Sequence, residues 1–397
     1  MNILQVTNLG YVNGGVETAL IENKARLEAL GHNVKIFTSN ARPDLQHFSD
    51  YEFPSLETQP KLLRLFYRSF YPAPYVALKK VLEVYKPDIV HLHTISQISP
   101  SILFLFKKWN VIATVHQTED YTVSILPWSF PDSYFKDGSH ERTQLTFEGK
   151  LHDFYHRFIN ANIYRMGFKN VNTFIAVSSY MQNCLASDGI QSSVIPNATR
   201  LFEPASVDTN CRTLVYVGRL ERTKGIQDIL RALSVIVEKH PDAKLLIAGR
   251  GSYEKELRDL TKELSLDTHV EFLGHLDRNG VYDLYRRASI VVMPSIWPES
   301  FGMVGIEALS VSRPVIASNI GGTSDWLVDG ECGYAIPTES PDVIAKKVLT
   351  LWSDPALLTL MSQKARERSL HFSIDLHIES LVGLYNKVLD NAKKSVG

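Results

Sequence analysis

Two glutamates, Glu299 and Glu307, lie eight positions apart in the segment PESFGMVGIEALS, which follows a short apolar run. Helical periodicity begins near Val304, so we expect Glu299 in the loop before a helix and Glu307 about one turn inside it. Both carboxylates can then face one cleft. The backbone N–H groups at the start of the helix favour a phosphate, because they lack acceptors and lie at the positive end of the helix dipole. This predicts an anion-binding helix start at Phe301, Gly302, Met303 and Val304.

Two cations follow another apolar run, in the segment VGRLERTKG. Arg219 and Lys224 can converge on one pyrophosphate, because Arg offers a planar fork of donors and Lys a mobile point charge. Cations held in place can stabilise the negative charge on a departing diphosphate, in place of a divalent metal. The alternative is a solvated basic loop.

Three histidines lie on or directly after predicted strands. His116 ends an apolar run and can hydrogen-bond a sugar hydroxyl or titrate near neutrality, the alternative being a hydrogen-bonded histidine at a strand end. His91 and His93 are two positions apart, so on a strand they point the same way. No third ligand stands at a recognisable spacing, and we therefore expect cleft lining or core packing there rather than a metal site.

Glycine turns follow two of the predicted strands. Gly14 and Gly15 open a helix near the start of the chain, and Gly249 begins the segment GRGS. The first turn is not GxGxxG, so a dinucleotide-binding site is not predicted. The Gly14–Gly15 pair is interpreted as a ligand-approach turn, because ligands gather at strand-to-helix turns, and a simple tight turn is the alternative.

The elements that position these residues occur twice in the same order: an apolar run, a glycine turn, an amphipathic helix and a second apolar run. That order predicts βαβ units and parallel sheets, hence two doubly wound α/β domains with ligands at the carboxyl ends of the strands. A polar, turn-rich stretch at residues 196–210 predicts the boundary. The predicted strands are residues 3–7, 34–38, 89–92, 111–115, 173–177, 214–217, 244–248, 270–273, 290–293 and 314–317; the main helices are residues 16–30, 226–239 and 374–394.

Composition excludes several classes of protein. A length of 397 residues with a formal net charge of -1 fits two domains and argues against a globally basic nucleic-acid binder. Cys184, Cys211 and Cys332 lie far apart, which disfavours a disulfide framework and a structural zinc site. The first residues carry no basic secretory signal, and no run reaches the roughly 18 apolar residues of a membrane span. A cytoplasmic location is expected.

Two segments suggest contact with an acceptor or a membrane. No acid stands between Glu57 and Glu83, while basic residues alternate there with aromatic and aliphatic ones: Lys61, Arg64, Arg68, Lys79 and Lys80. Such a segment can lie on an anionic membrane surface, here the inner face, or form an ordinary helix packed on its own domain. The aromatic region 119–170 could shape an acceptor pocket, approach a lipid-linked acceptor, or simply cover the N-terminal domain.

The motifs together resemble the retaining glycosyltransferase family 4, whose EX7E signature matches PESFGMVGIEA, followed here by RPVIAS and GGTSDWLVDGECG. GGVE, TVH, AVSSY, PNAT, VGRLERTKG and FSID extend the resemblance over nearly the whole chain. It implies the GT-B fold, α/β with two Rossmann-like, doubly wound parallel-sheet domains facing an interdomain cleft. Residues 1–197 with the helix 374–397 would form the acceptor-side domain, and residues 198–373 the domain that binds the nucleotide-sugar donor.

The resemblance also implies roles for particular residues. Glu307 would hold the ribose hydroxyls of the donor, which suits a carboxylate accepting two hydrogen bonds. The implied catalytic set is Glu299 beside the donor sugar, His116 near the same sugar, and Arg219 and Lys224 on the diphosphate. The implied donor-binding set adds Gly14, Gly15, Gly249, Phe301, Gly302, Met303, Val304 and Glu307. Gln117 follows His116 where many relatives have Asp.

The resulting hypothesis is a retaining, metal-independent glycosyltransferase without a cofactor. It would move a sugar from a nucleotide-sugar, UDP-linked rather than GDP-mannose, to a glycan or lipid-linked acceptor, with the leaving diphosphate taking the acceptor proton. Nucleic acid is not an expected partner. A GT-B sugar phosphorylase, a starch-synthase-like polymerase and a non-catalytic sugar-nucleotide sensor are the alternatives. A nicotinamide oxidoreductase is disfavoured, because the first turn lacks its glycine fingerprint.

Overall fold

The computed structural model of the chain describes residues 1–12, 14–95, 98–117 and 159–394. It divides into two units, the first comprising Met1–Pro196 with His377–Gly397 and the second Asn197–Leu376. The sequence-based boundaries, after residues 197 and 373, lie one and three residues from these divisions.

The first unit is built on a seven-stranded parallel sheet in the order β3-β2-β1-β4-β5-β6-β7. Chain order reverses between β1 and β4, which are paired in the middle of the sheet. In doubly wound folds, ligands bind outside the carboxyl ends of the strands at such a reversal. The strands are β1 (Asn2–Leu9), β2 (Asn33–Ser39), β3 (Tyr51–Phe53), β4 (Ile89–Leu92), β5 (Val111–Val115), β6 (Thr173–Ala176) and β7 (Ser192–Val194).

Helices connect these strands and cover the sheet. The basic, aromatic segment forms two helices rather than one, because the chain turns after residue 67 and Pro72 starts the second, where its missing N–H is no loss. A 3-10 helix, Pro100–Lys108, carries the most apolar short run of the sequence. The described α-helices up to residue 187 are α1 (Gly15–Ala29), α2 (Lys61–Tyr67), α3 (Pro72–Tyr85), α4 (Ala161–Phe168) and α5 (Ser179–Ser187).

The second unit is built on a six-stranded parallel sheet in the order β10-β9-β8-β11-β12-β13, with the reversal between β8 and β11. Its strands are β8 (Thr213–Val217), β9 (Lys244–Ala248), β10 (Val270–Gly274), β11 (Ile290–Met293), β12 (Val315–Ser318) and β13 (Gly333–Ile336). Its helices are α6 (Ile226–Lys239), α7 (Glu254–Glu263), α8 (Arg278–Arg287), α9 (Met303–Ser310), α10 (Pro341–Ser353) and α11 (Pro355–Ser369).

Helix α6 shows how the core of the second unit fixes its loops. Ile226, Ile229, Leu233 and Ile236 recur at three- or four-residue spacing and are fully buried in the cluster beneath the sheet. Burying each such side chain stabilises the fold by roughly 1.5–3 kcal/mol. Because α6 begins directly after the cationic loop, this packing also fixes the end of that loop.

The last helix, α12 (Ile374–Lys394), begins in the second unit and continues in the first from His377 onward. The His377 Nδ1 lies 2.8 Å from the carbonyl oxygen of Pro196, and its Nε2 lies 3.4 Å from the Asn23 amide nitrogen. These contacts, all within the first unit, join α12 to residue 196, where the first chain segment of the unit ends, and to helix α1.

The predicted fold, two doubly wound parallel-sheet domains, is confirmed. The predicted strands are all present to within two residues, whereas the short strands β3, β7 and β13, of three or four residues, were not predicted. No helix among the described residues combines the length and apolar character that crossing a bilayer requires.

Candidate active site

An ion pair joins two loops at the carboxyl edge of the second sheet, at the reversal of strand order. The Lys224 Nζ, in the loop after β8, lies 2.7 Å from Oε1 of Glu299, in the loop after β11. The two side chains are only 20% and 17% exposed. The structure therefore brings together a predicted phosphate-binding cation and a predicted donor-sugar carboxylate.

The backbone around Lys224 fits closely against the loop that follows β11. Gly225 has φ +71°, and a Cβ there would lie 1.9 Å from the carbonyl oxygen of Pro294, so the position requires glycine. The Ile296 N–H donates to the Thr223 carbonyl at 2.8 Å. These contacts fix the spacing between the two loops.

Glu299 is held through its side chain and its backbone. The Ser295 hydroxyl donates to Oε1, the oxygen that also binds Lys224. The Glu299 carbonyl accepts the Gly322 N–H at 2.7 Å, and a Cβ on Gly321, at φ +66°, would lie 2.2 Å from that carbonyl. The carboxylate thus extends from a backbone clamped on two sides.

Gly302 is the N-cap residue of helix α9, and its φ of +92° is left-handed. The Trp326 indole N–H donates to the carbonyl of the buried Phe301 at 2.6 Å and so orients the helix start. The Gly302, Met303 and Val304 positions are half-buried. A helix start of this kind presents backbone N–H groups to an anion.

Glu307 lies on α9, five positions into the helix. The hydroxyl of Tyr285, from α8, donates to its Oε2 at 3.2 Å. Burial, and secondly the negative charge of Glu307, raises the pKa of Tyr285, so the phenol keeps its proton and remains a donor.

Arg219 takes a different direction from Lys224. Its Nη1 pairs with Glu221 Oε1 at 2.9 Å, and its side chain is 71% exposed. Its backbone is fixed, because the buried Tyr216 hydroxyl donates to the Arg219 carbonyl at 2.9 Å. Convergence of the two cations on one anion stays a prediction.

Gly249 lies beside the same loop. Its φ is +145°, and a Cβ there would lie 1.8 Å from the Gly218 carbonyl oxygen. The Leu220 N–H donates to the Arg250 carbonyl at 2.9 Å. The predicted glycine loop and the cationic loop are therefore bonded neighbours in the second unit.

His116 lies at the carboxyl end of β5 in the first unit, where its Nε2 is 3.0 Å from the Nδ1 of His93. His91 is bonded through Nδ1 to the Tyr385 hydroxyl and through Nε2 to the Thr114 hydroxyl, both at 2.7 Å. All three histidines are buried, as the core-packing interpretation of His91 and His93 predicted.

Burial determines the charge state of these rings. It is the largest cause that lowers the pKa of His116 to about 4 and that of His91 to about 3, and the other histidines add to it. The pKa of His93 is lowered for the same reasons. At neutral pH, His116 is a neutral hydrogen-bonding group rather than a cation.

These rings belong to a larger buried polar layer on one face of the first sheet. Alternate positions of neighbouring strands share a face, and here they carry Gln5, Thr7, His91, His93, Thr114 and His116. The Tyr385 hydroxyl on α12 bonds this layer through His91. We call these six residues the polar layer.

Gly14 and Gly15 are exposed at the start of α1. Gly14 has φ -175°, extended backbone that any residue adopts, and a Cβ there would come no closer than 3.8 Å to Glu17 Oε2. Their assignment to donor binding stays a prediction.

Two other predictions concern other parts of the chain. Most of the aromatic region 119–170, residues 119–158, lies outside the described residues. Within the described residues, no group of three or more His, Cys, Asp or Glu side chains is arranged to hold a metal ion.

Ser295 and Tyr285 were missed by sequence reasoning. Ser295 stands four residues before Glu299, at a strand end, and that position is a local signal. Tyr285 is 22 residues from Glu307 and is brought to it by the packing of α8, so no local signal exists.

Comparison with known families gives matches over both units. Residues 13–201 match the model of Glycosyltransferase Family 4, and residues 198–368 match that of Glycosyl transferases group 1. The phosphatidyl-myo-inositol mannosyltransferase of Mycolicibacterium smegmatis is 26% identical over 95% of this chain and 91% of its own length. The glycogen synthase of Mycobacterium tuberculosis is 28% identical over 72% of this chain, and the match spans 64% of that protein.

A solved structure supports the fold independently. The Anabaena protein HepE in complex with UDP superposes with a TM-score of 0.68 at 18% identity, covering 98% of this chain and all of that one. The two family models overlap at residues 198–201 and together match residues 13–368, which include most of both parallel-sheet units. The chain belongs to the family 4 glycosyltransferases and has the GT-B fold.

Proposed function

We propose that this protein is a retaining, metal-independent hexosyltransferase that uses a nucleotide-sugar donor and a glycan or lipid-linked acceptor. The observation that carries the proposal is the Lys224–Glu299 ion pair at the strand-order reversal of the second sheet. The pair provides a cation that can bind a diphosphate and a carboxylate that can bind a sugar. Lys224 Nζ and Glu299 Oε1 lie 2.7 Å apart, at the usual ligand position of this sheet topology.

The second carboxylate of the site, that of Glu307, supports a donor whose sugar is linked to a nucleotide. Glu307 has its Oε2 bonded to Tyr285, which orients a carboxylate able to accept the hydroxyls of a ribose. The start of α9 lies between the two glutamates in sequence and supplies N–H groups for phosphate oxygens. A UDP-sugar is the proposed donor; the HepE structure in complex with UDP is consistent with this.

In the proposed reaction, the acceptor hydroxyl attacks the anomeric carbon on the face from which the diphosphate departs. The new C–O bond forms as the bond from the sugar to the phosphate oxygen breaks, and the acceptor proton passes to that departing oxygen. Lys224 and Arg219 stabilise the negative charge on the diphosphate, which is the role a metal ion fills elsewhere. His116 is neutral at pH 7, so a sugar hydroxyl bound at this residue would meet a hydrogen-bonding group without a positive charge.

A thermal-shift screen tests donor binding first, because a ligand that binds only the folded state raises its melting temperature. UDP, GDP and their sugars are compared with ADP, free sugars and inorganic phosphate. We expect UDP and a UDP-sugar to raise the melting temperature most. A response to none of the nucleotides contradicts the proposal, and a response to GDP alone changes the donor.

The reaction type is tested on the donor that binds. Retention predicts that the product formed in the presence of EDTA has the anomeric configuration of the donor, as read by NMR. Inversion, or dependence on a divalent ion, contradicts those parts of the proposal. Donor cleavage that requires inorganic phosphate indicates the phosphorylase alternative.

A peripheral membrane contact through α2 and α3 is part of the proposal. Phe66 and Phe70 are 63% and 56% exposed, and Lys79 and Lys80 are exposed on α3. Arg64 instead donates to the Gln59 and Glu57 carbonyls. Exposed aromatic side chains and exposed lysines within one segment fit an anionic bilayer.

Vesicle sedimentation tests this contact. We expect the protein to bind vesicles containing anionic phospholipid, and a Lys79→Glu/Lys80→Glu variant to bind them less. Equal binding by the wild type and the variant contradicts the membrane contact and leaves the donor chemistry unaffected.

A further inference from the structure

We propose that Ser295 is a positioning residue for Glu299. Its hydroxyl retains Oε1 of the carboxylate when a donor diphosphate draws Lys224 away, and so keeps Oε2 directed at the donor sugar. This inference rests on the proposed function and deepens it by assigning one residue that the family motifs do not name.

The hydrogen bonds of Glu299 are distributed unequally over its two oxygens. Oε1 receives both Lys224 Nζ and Ser295 Oγ, whereas Oε2 receives no hydrogen bond from the described residues. A carboxylate can accept about two hydrogen bonds at each oxygen. Oε1 is therefore occupied by the protein, and Oε2 is the oxygen that can accept from a sugar hydroxyl.

The two donors to Oε1 differ in how firmly they are held. Lys224 carries a compact charge on a flexible four-carbon stem, and a diphosphate with two negative charges competes with Glu299 for it. Ser295 has a single-carbon side chain, is 1% exposed and stands two residues after β11. Its hydroxyl cannot follow the diphosphate.

The backbone on both sides of Ser295 is fixed to the Lys224 loop. The Pro294 carbonyl lies against Gly225, and the Ile296 N–H donates to the Thr223 carbonyl at 2.8 Å. Ser295 therefore keeps its place while the Lys224 side chain turns. Without its hydroxyl, Glu299 loses both donors once the diphosphate binds, and its side chain gains rotamers that point Oε2 away from the sugar.

This division of roles predicts a specific kinetic pattern for Ser295→Ala. The affinity for UDP alone is expected to stay within about threefold of wild type, because Ser295 does not touch the diphosphate. Turnover of the nucleotide-sugar is expected to fall about 10- to 100-fold, the range for losing orientation of one group that contacts the reacting sugar.

Ser318→Ala is the matched control. Ser318 ends the neighbouring strand β12, is also 1% exposed, and its hydroxyl makes no hydrogen bond among the described residues. Like Ser295→Ala, Ser318→Ala removes one buried hydroxyl at the end of a strand. It is expected to leave kcat and UDP affinity at wild-type values.

The closing experiment is a double-mutant cycle with Glu299→Gln, measuring kcat, the donor KM and the Kd of UDP and GDP by calorimetry. If Ser295 acts through Glu299, Ser295→Ala lowers kcat less than about threefold in the Glu299→Gln background. The proposal is overturned if Ser295→Ala behaves like Ser318→Ala, if its effect is undiminished in that background, or if UDP affinity falls as much as kcat. Absence of UDP and GDP binding by the wild type overturns the proposed function, and the role of Ser295 with it.

Discussion

The two sheets end in chemically different edges. At the carboxyl edge of the second sheet, the loops carry opposite charges in contact, Lys224 and Glu299, each about one-fifth exposed. At the corresponding edge of the first sheet, His93 and His116 lie 3.0 Å apart, are almost fully buried and are neutral at pH 7.

Burial explains the difference. A partly exposed ion pair keeps access to water and to a competing anion, whereas deep burial lowers the pKa of an imidazole until it carries no charge at pH 7. One architecture, a parallel sheet with a reversal of strand order, thus produces a charged edge suited to a diphosphate and a neutral polar edge suited to hydroxyl groups. Four measurements test this contrast between the two edges.

Acid is expected to destabilise the first unit selectively. Because the pKa values of His91, His93 and His116 are lower in the folded than in the unfolded chain, the unfolded chain binds more protons between about pH 6.5 and pH 4. Stability is therefore complete above pH 6.5 and is lost as the pH falls through that window. Each histidine contributes up to about 1.4 kcal/mol per pH unit.

Hydrogen exchange at pH 7 and pH 4.5, corrected for the intrinsic exchange rate, measures this effect. Strands β1, β4 and β5 are expected to lose protection before β8 and β11. A His91→Gln variant, with one titrating group fewer, is the control and should show a smaller difference. Equal loss of protection in both sheets contradicts the assignment of buried neutral histidines.

Removing the cation of the charged edge is expected to affect turnover strongly. Lys224→Ala should lower kcat on the order of 10² or more, because the leaving diphosphate loses a fixed positive charge; Arg219→Ala should do the same if Arg219 reaches the diphosphate. Lys239→Ala, an exposed lysine at the end of α6, is the matched control. Near-wild-type turnover by a folded Lys224→Ala protein eliminates the proposed role.

Removing a hydrogen bond from the polar layer of the first sheet is expected to affect stability more than turnover. Tyr385→Phe removes the partner of His91 Nδ1 in a buried site, at a cost of about 1–3 kcal/mol in the free energy of unfolding. Urea unfolding measures it, and Tyr282→Phe, whose more exposed hydroxyl bonds the Glu203 carbonyl, is the control. Equal effects of the two variants indicate that the His91–Tyr385 bond does not stabilise the polar layer.

Neutralising the carboxylate of the charged edge is expected to have the smallest effect, in an unexpected direction. Glu299→Gln should bind UDP about fivefold more tightly. In the wild type the diphosphate must displace Glu299 from Lys224, which costs the Lys224–Glu299 ion pair of about 1 kcal/mol, and the variant has no such ion pair to break. Calorimetry measures the affinity, with Ser318→Ala as reference. Unchanged or weaker binding argues against competition between Glu299 and the diphosphate.

The sequence predicted the charged edge better than the neutral one. Strands β4, β5, β9 and β11 match their predicted bounds because each is a buried, β-branched run punctuated by turn residues. The predicted proximity of loops at one sheet edge follows from the parallel order, and Lys224 and Glu299 indeed meet there.

What escaped prediction depends on contacts distant in sequence. The hydroxyl of Tyr285 reaches Glu307 from another helix, and Tyr385 reaches His91 from a position 294 residues away. Short edge strands such as β7 carry too few residues for an alternating pattern. The direction of the Arg219 side chain is set by its ion pair with Glu221. The sequence alone does not show that these two side chains pair.

The bond between α12 and the polar layer also has a consequence for synthesis. The strands of the first sheet leave the ribosome early, but the Tyr385 that covers His91 is made only after the whole second unit. Domains usually fold in the order in which they are translated. Here the second unit can finish folding first, and a nascent chain halted before α12 leaves a sheet whose buried histidines face water, a state that chaperones and proteases can recognise.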